Sequence, residues 1–159
     1  MGIKLTNFKE LSAIEAQDVL NWRNSDFVRF QMSNHDLISI EQHMEFIKSL
    51  NKNKDNEYYL VSKGKDRIGV IYLNSITEID AELGLYKNPD TKIADAGRIL
   101  MNSIFTLARY KKLDSLNLRV LKSNEKAIHL YNKFSFTIKN EDESFLYMVS
   151  TNLKPMHAA

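Results

Sequence analysis

Residues 83–100 read LGLYKNPDTKIADAGRIL, and the fold turns on where that stretch changes its period. Up to Tyr86 it continues a β-run that starts at Ala81 (AELGLY), in which Gly84 marks a bulge or a close backbone approach. Glu82 and Tyr86 share a parity on that strand, so their side chains project to one face. After Pro89 the pattern is helical. Ala94–Tyr110 places Ala96, Leu100, Ile104 and Leu107 on one face, which predicts the strongest helix of the chain.

Downstream, Leu116, Leu118 and Val120 alternate as a strand, and Asn124–Phe134 (NEKAIHLYNKF) is an amphipathic helix. Phe136–Ile138 and Phe145–Val149 read as an antiparallel pair. Upstream, Glu57–Ser62 and Arg67–Leu73 are strands joined by a turn at Lys63–Asp66, and Asn51–Asn56 is a solvated loop. Ser39 and Gln42 have capping-box spacing and open a helix whose apolar stripe is Met44, Phe46 and Ile47. Ser12–Asn24 predicts another helix, with Ile14, Val19, Leu20 and Trp22 apolar, and Ile3–Phe8 a first strand. The order is β-α-α-β-β-β-α-β-α-β-β. It predicts one α/β (α+β) domain over residues 1–153, with a mixed, mostly antiparallel central sheet flanked by about four helices and a short tail at 154–159. The late strand–helix–strand units imply at least one parallel pair.

The chain has 159 residues, 43% hydrophobic and 26% charged, enough for one core without staples. Its 22 basic and 20 acidic residues leave +2, which argues against a strongly electrostatic nucleic-acid binder. There is no cysteine, so disulfides, thiolate metal sites and cysteine nucleophiles are excluded. Met1–Phe8 lacks a signal-peptide core, no stretch has the length of a membrane helix, and a cytoplasmic location is expected. His35, His129 and His157 show no metal-ligand spacing with one another or with His43, and no metal is expected.

The element order and two segments resemble the GNAT superfamily of acyl-CoA-dependent N-acetyltransferases. In that family the loop inside residues 83–100 holds the pyrophosphate of coenzyme A, because free N–H groups and the positive end of a helix receive phosphate. The resemblance implies acetyl-CoA as cosubstrate, with Lys92, Ala96, Gly97 and Arg98 at the pyrophosphate. Exposed surface cations is the plain alternative for Lys92 and Arg98. Asp95 stands where the family usually has glycine, and the loop looks longer than usual. A carboxylate there opposes phosphate unless it turns away, for instance to cap the helix through the N–H of Gly97 or Arg98. Leu83, Gly84 and Leu85 would offer backbone groups to the pantetheine, one N–H polarising the acetyl carbonyl. In the second segment the resemblance places Asn124 and Ala127 near the pantetheine and Tyr131 at the sulfur. A neutral phenol of ordinary pKa near 10 can donate a proton to a departing thiolate. Core packing is the alternative for Tyr131.

A narrower resemblance runs through Trp22-Arg23-Asn24, Glu41–Ile47, Tyr59-Leu60-Val61, Leu83–Pro89 and Asn124–Phe134. It is to the UDP-amino-sugar N-acetyltransferases of pseudaminic acid biosynthesis, which acetylate the 4-amine of a UDP-linked dideoxy sugar. The implied partner is therefore a UDP-amino sugar, with neither nucleic acid nor membrane and with a homodimer left open. Arg23 can pair with a nucleotide diphosphate or a uracil carbonyl, or make a surface salt bridge. His43 is a packing residue by its neighbours Met44 and Phe46, and a nucleotide or sugar ligand by the resemblance. Met32 and Tyr86 would border the substrate. Glu82 can take the ammonium proton, directly or through water, or be an exposed strand carboxylate. The competing functions are protein N-terminal (ribosomal-protein-type) or small-amine acetylation on the same fold, and a non-catalytic acyl-CoA-binding module, which Asp95 keeps open.

Overall fold

The structure is a computed structural model and describes residues 2–153; the tail expected at 154–159 lies outside the described residues. Its strands are β1 (Ile3–Asn7), β2 (Glu57–Lys63), β3 (Asp66–Asn74), β4 (Asp80–Lys87), β5 (Ser115–Leu121), β6 (Thr137–Glu141) and β7 (Phe145–Ser150). They form one sheet in the order β1-β2-β3-β4-β5-β7-β6. Every neighbouring pair is antiparallel except β4 and β5, which meet in parallel over Asp80↔Ser115, Ala81↔Leu116 and Glu82↔Asn117. The expected parallel pair is thus present and short. The chain crosses over between these strands through the strong helix read from the sequence, here α4 (Ala96–Tyr110).

The remaining helices are α1 (Ala13–Asn24), α2 (Asp26–Arg29), α3 (Ile40–Ser49) and α5 (Glu125–Lys133). That makes five among the described residues rather than about four, plus a 3-10 turn at Phe8–Glu10 where the first strand was expected to end. The additional helix has a local cause. Ser25 is extended (φ −63°, ψ 148°), which stops α1, and its Oγ then accepts the N–H of Val28 to start α2. The expected capping box at Ser39 forms in full with Gln42, and Ser12 makes a second one with Glu15.

Alternation along β4 sorts the domain into two cores. Ala81, Leu83 and Leu85 pack with Leu100, Ile104, Leu116 and Leu118 under α4 and α5. Tyr86 faces the other way, with Val19, Trp22, Val28 and Leu60 beneath α1, α2 and α3. Gly84 sits in regular register opposite Tyr72, without a bulge, so the alternative reading of a close approach is the one that holds.

Two apolar faces differ from the sequence reading. Ile14 on α1 is 71% exposed, and Met44 on α3 is 41% exposed while its neighbour His43 is only 6% exposed. The His43 ring reaches across to α1, with Nε2 3.0 Å from the Ala16 carbonyl oxygen. Burial disfavours its charged form and lowers its pKa from the ordinary 6.5, and the bond to Ala16 opposes this only partly.

A buried imidazole with a lowered pKa binds fewer protons folded than unfolded, so it favours the fold above pH 6.5 and that contribution is lost as pH falls through the folded-state value. His43→Gln should therefore flatten the acid side of the stability-versus-pH curve. Denaturant midpoints measured between about pH 5 and pH 8 test this, and an unchanged slope refutes it.

Candidate active site

Beyond Glu82↔Asn117, β4 and β5 no longer pair, although β4 continues on β3 to Lys87 and β5 continues on β7 to Leu121. Residues 83–87 thus turn one backbone edge to a gap in the sheet. A cleft of about 820 Å³ opens there, with Leu83–Lys87 on one wall and Arg119, Val120 and Leu121 on the other.

One end of the cleft is built by two helix starts. Ala94, Asp95, Gly97 and Arg98 line it from α4, and Asn124, Lys126, Ala127 and Tyr131 from α5. The expected cap at α4 is absent. Asp95 holds the N-cap position with φ −99° and ψ 29° and makes no side-chain bond, and no acidic residue lies in the first turn. The first amides of α4 are therefore left for something else to satisfy. Gly97 allows the two helices to close up, since a Cβ there would sit 3.2 Å from the Leu130 side chain. Asn124 spends its Oδ1 on capping α5, accepting the N–H of Ala127 at 3.3 Å.

Tyr131 projects from the second turn of α5 into the cleft and is 7% exposed. Burial pushes its pKa up to about 12, and among the described residues no hydrogen bond holds its hydroxyl. It is a protonated phenol over the whole neutral range, free to act on a ligand.

The other end lies on the α1 side of the sheet. Glu82, Gly84, Tyr86, Tyr58, Tyr72 and Asn74 form its floor, and Met32 and Ser33 border it from the segment after α2. Tyr58 stacks on Tyr72 with centroids 4.6 Å apart, and Asn74 Nδ2 donates to the Tyr58 hydroxyl at 3.3 Å. Burial raises the pKa of Tyr58. The Asn74 bond and the Arg23 guanidinium act in the opposite direction, and the Glu82 carboxylate adds to the rise, so both charges lie near this ring.

Most residues singled out from the sequence therefore meet around one cleft, and four do not line it. Arg23 stands behind the tyrosines; its Nη2 donates to the Asn34 carbonyl at 3.2 Å, while its Nη1 is buried without a partner. Lys92 is exposed on the loop, Ala96 is 2% exposed in the core, and His43 is turned to Ala16. Sequence reasoning passed over Tyr58, Tyr72, Lys87, Arg119 and Lys126, all of which line the cleft. The parity of Arg119, opposite to buried Leu118 and Val120, was the one available signal.

Comparison with known proteins agrees with this geometry. The Acetyltransferase (GNAT) family matches residues 16–136. The chain is 40% identical over 148 residues, 92% of each protein, to the acetyltransferase PseH of Campylobacter jejuni. A crystal structure of Campylobacter jejuni N-acetyltransferase PseH in complex with acetyl coenzyme A superposes with a TM-score of 0.80 at 36% identity, covering 95% of this chain and 99% of that one. A spermidine N-acetyltransferase of Vibrio cholerae in complex with CoA and spermine gives a TM-score of 0.82 at 19% identity, over 93% of this chain and 94% of that one, a likeness of fold alone. With a cleft between two parting strands, an uncapped helix start beside it and these relatives, the chain belongs to the GNAT family of acetyltransferases.

Proposed function

We propose that this chain transfers acetyl from acetyl-CoA to the 4-amine of a UDP-linked amino-dideoxy sugar, the acetylation step that leads to pseudaminic acid. The observation that carries the acceptor class is the charge of the cleft. Lys87, Arg98, Arg119, Lys126 and Lys133 line it against only Glu82 and Asp95. A lining of that sign attracts two anionic ligands and disfavours a polyamine. The relative crystallised with acetyl coenzyme A supports the donor.

The residues present fit acetyl-CoA. The uncapped start of α4 with Arg98, and Lys126 facing it from α5, suit a pyrophosphate. The free edge at Leu83, Gly84 and Leu85 suits an amide-bearing arm, with one N–H placed to polarise a carbonyl. Asn124 and Ala127 shape the α5 side of that channel. Acetyl-CoA supplies an activated thioester when bound. Glu82 receives the proton of the acceptor ammonium, directly or through water, and Tyr131 gives its hydroxyl proton to the departing sulfur. Met32 and Tyr86 border the sugar, and Arg23, behind the tyrosines and off the cleft wall, adds its positive charge on the nucleotide's side. Lys92, Ala96 and His43 lack a place on the cleft wall and have no direct ligand contact in this reading. The cysteine-free chain is consistent with direct transfer in the cytoplasm.

The test is thiol release from acetyl-CoA with a panel of acceptors: a UDP-linked 4-amino-4,6-dideoxy sugar, spermine and a peptide amino terminus. Preference for the sugar nucleotide is expected. Preference for spermine or the peptide overturns the acceptor assignment, and binding of acetyl-CoA with no turnover on any amine favours a non-catalytic module. Tyr131→Phe should lower kcat by about 100-fold or more with acetyl-CoA affinity within about twofold. Because the Tyr131 pKa is pushed up to about 12, the wild-type rate should show no alkaline fall from this group at pH 8 to 10. Arg23→Ala should raise KM for the sugar nucleotide about tenfold through the loss of its charge and leave acetyl-CoA alone; equal weakening of both ligands assigns Arg23 to the fold.

A further inference from the structure

An aromatic rung crosses the sheet at the acceptor end and stops one strand short. Tyr58 on β2 is the register partner of Tyr72 on β3, and Tyr72 is the partner of Gly84 on β4. Phe8 and Phe46 brace the Tyr58 ring at centroid distances of 5.4 and 4.8 Å. With no side chain at Gly84, the Tyr72 ring leans across β4 into that space. A Cβ at Gly84 would fall 2.0 Å from Tyr72 Cζ and 2.2 Å from its Oη. The hydroxyl therefore lies directly over the β4 backbone, where that strand begins to run free of β5.

Tyr72 lines the cleft, and among the described residues its hydroxyl has no hydrogen-bond partner and is not sealed from the cleft. Glu82 is two residues before Gly84 on the same strand face, about 7 Å along the strand. Hydroxyl and carboxylate thus border the same part of the cleft, close enough for Glu82 to add to the rise of the phenol's pKa. Burial raises the pKa of Tyr72, with Tyr58, Tyr131 and Glu82 adding to the rise and Arg23 opposing it. The group is thus a neutral phenol within electrostatic reach of the residues assigned to both proton transfers.

Resting on the acetyl-transfer reading above, we propose that the Tyr72 hydroxyl binds the acceptor amine, accepting one N–H in the slot that Gly84 leaves open and holding the nitrogen against Glu82. An ammonium offers three N–H groups. Glu82 takes one proton, and the neutral phenol cannot compete for it as a base. A bond to Tyr72 fixes a second N–H and so orients the lone pair that attacks. Gly84 matters here because its missing side chain makes room for a protein hydroxyl.

Tyr72→Phe keeps the ring and its stack on Tyr58 and removes only the oxygen. The expected result is a tenfold or greater fall in kcat/KM for the amino-sugar acceptor, with KM for acetyl-CoA within twofold and thermal stability unchanged. Gly84→Ala should give the same acceptor defect by displacing the ring, and the double variant should be no worse than the more impaired single one, since both act through one hydroxyl. An acceptor kcat/KM within twofold of wild type in Tyr72→Phe overturns the proposal. So does an equal loss toward both substrates, or strict additivity of the two substitutions. Failure of the functional reading looks different: wild-type protein would then be inert on the sugar nucleotide and active on spermine or the peptide. The Tyr72→Phe comparison is made on whichever amine is turned over, with the same criteria.

Discussion

The parting of β4 and β5 after three residue pairs is the constraint on which everything else depends. Each strand keeps its outer partner, so the sheet becomes two halves that share a short seam. Strand twist then carries the halves apart, and one edge of each is left with backbone groups that water or a ligand must satisfy. A side-chain site on an intact sheet can offer only what projects above or below it. Here the ligand can enter the plane of the sheet itself, and the helices α4 and α5 begin at the same opening. Donor and acceptor approach that one edge from the two ends of the cleft, which is how a chain of 159 residues can bring two large substrates together.

The charges follow the same geometry. Arg98 and Lys126 stand at the helix starts, where the backbone already favours anions, and Arg119 stands near Ser33, where no helix start helps. The middle of the cleft between them is aromatic and poor in charge, with the Glu82 carboxylate and three tyrosines whose protons are held by burial. Weak screening in such a place makes a single proton transfer more sensitive to position than it is at the surface.

Much of this was legible in the chain. The helix at Ala96–Tyr110 follows from four apolar residues at helical spacing, and the Ser39–Gln42 box marks α3 to the residue. Glu82 was read onto the cleft from strand parity, and Tyr131 and the glycines at 84 and 97 from the family pattern. What escaped was whatever depends on pairing between distant segments. Tyr72 acquires its position from the register of β3 against β4, which composition does not encode. His43 and Met44 differ by one residue, about 100° of helix rotation, and the long imidazole buried itself by finding a carbonyl on another helix. Four residues of α2 are too few to show a period, although Ser25 followed by Asp26 carried the capping signal.

The segment that borders the acceptor end is held in an unusual way. Asn24 exchanges two 2.8 Å bonds with the backbone of Ile38, Arg23 donates to the Asn34 carbonyl, and Arg29 donates to the His35 carbonyl at 2.7 Å. In each case the side chain belongs to a helix and the loop contributes only main chain. The loop's path is thus largely specified from outside it, through main-chain groups at 34, 35 and 38. Ile38 is a position whose side chain can change without loosening the loop, whereas Asn34 and His35 also use theirs, on the Asp36 N–H and the Phe30 ring. This end of the cleft can therefore change at such a position while the end built by the two helix starts stays as it is.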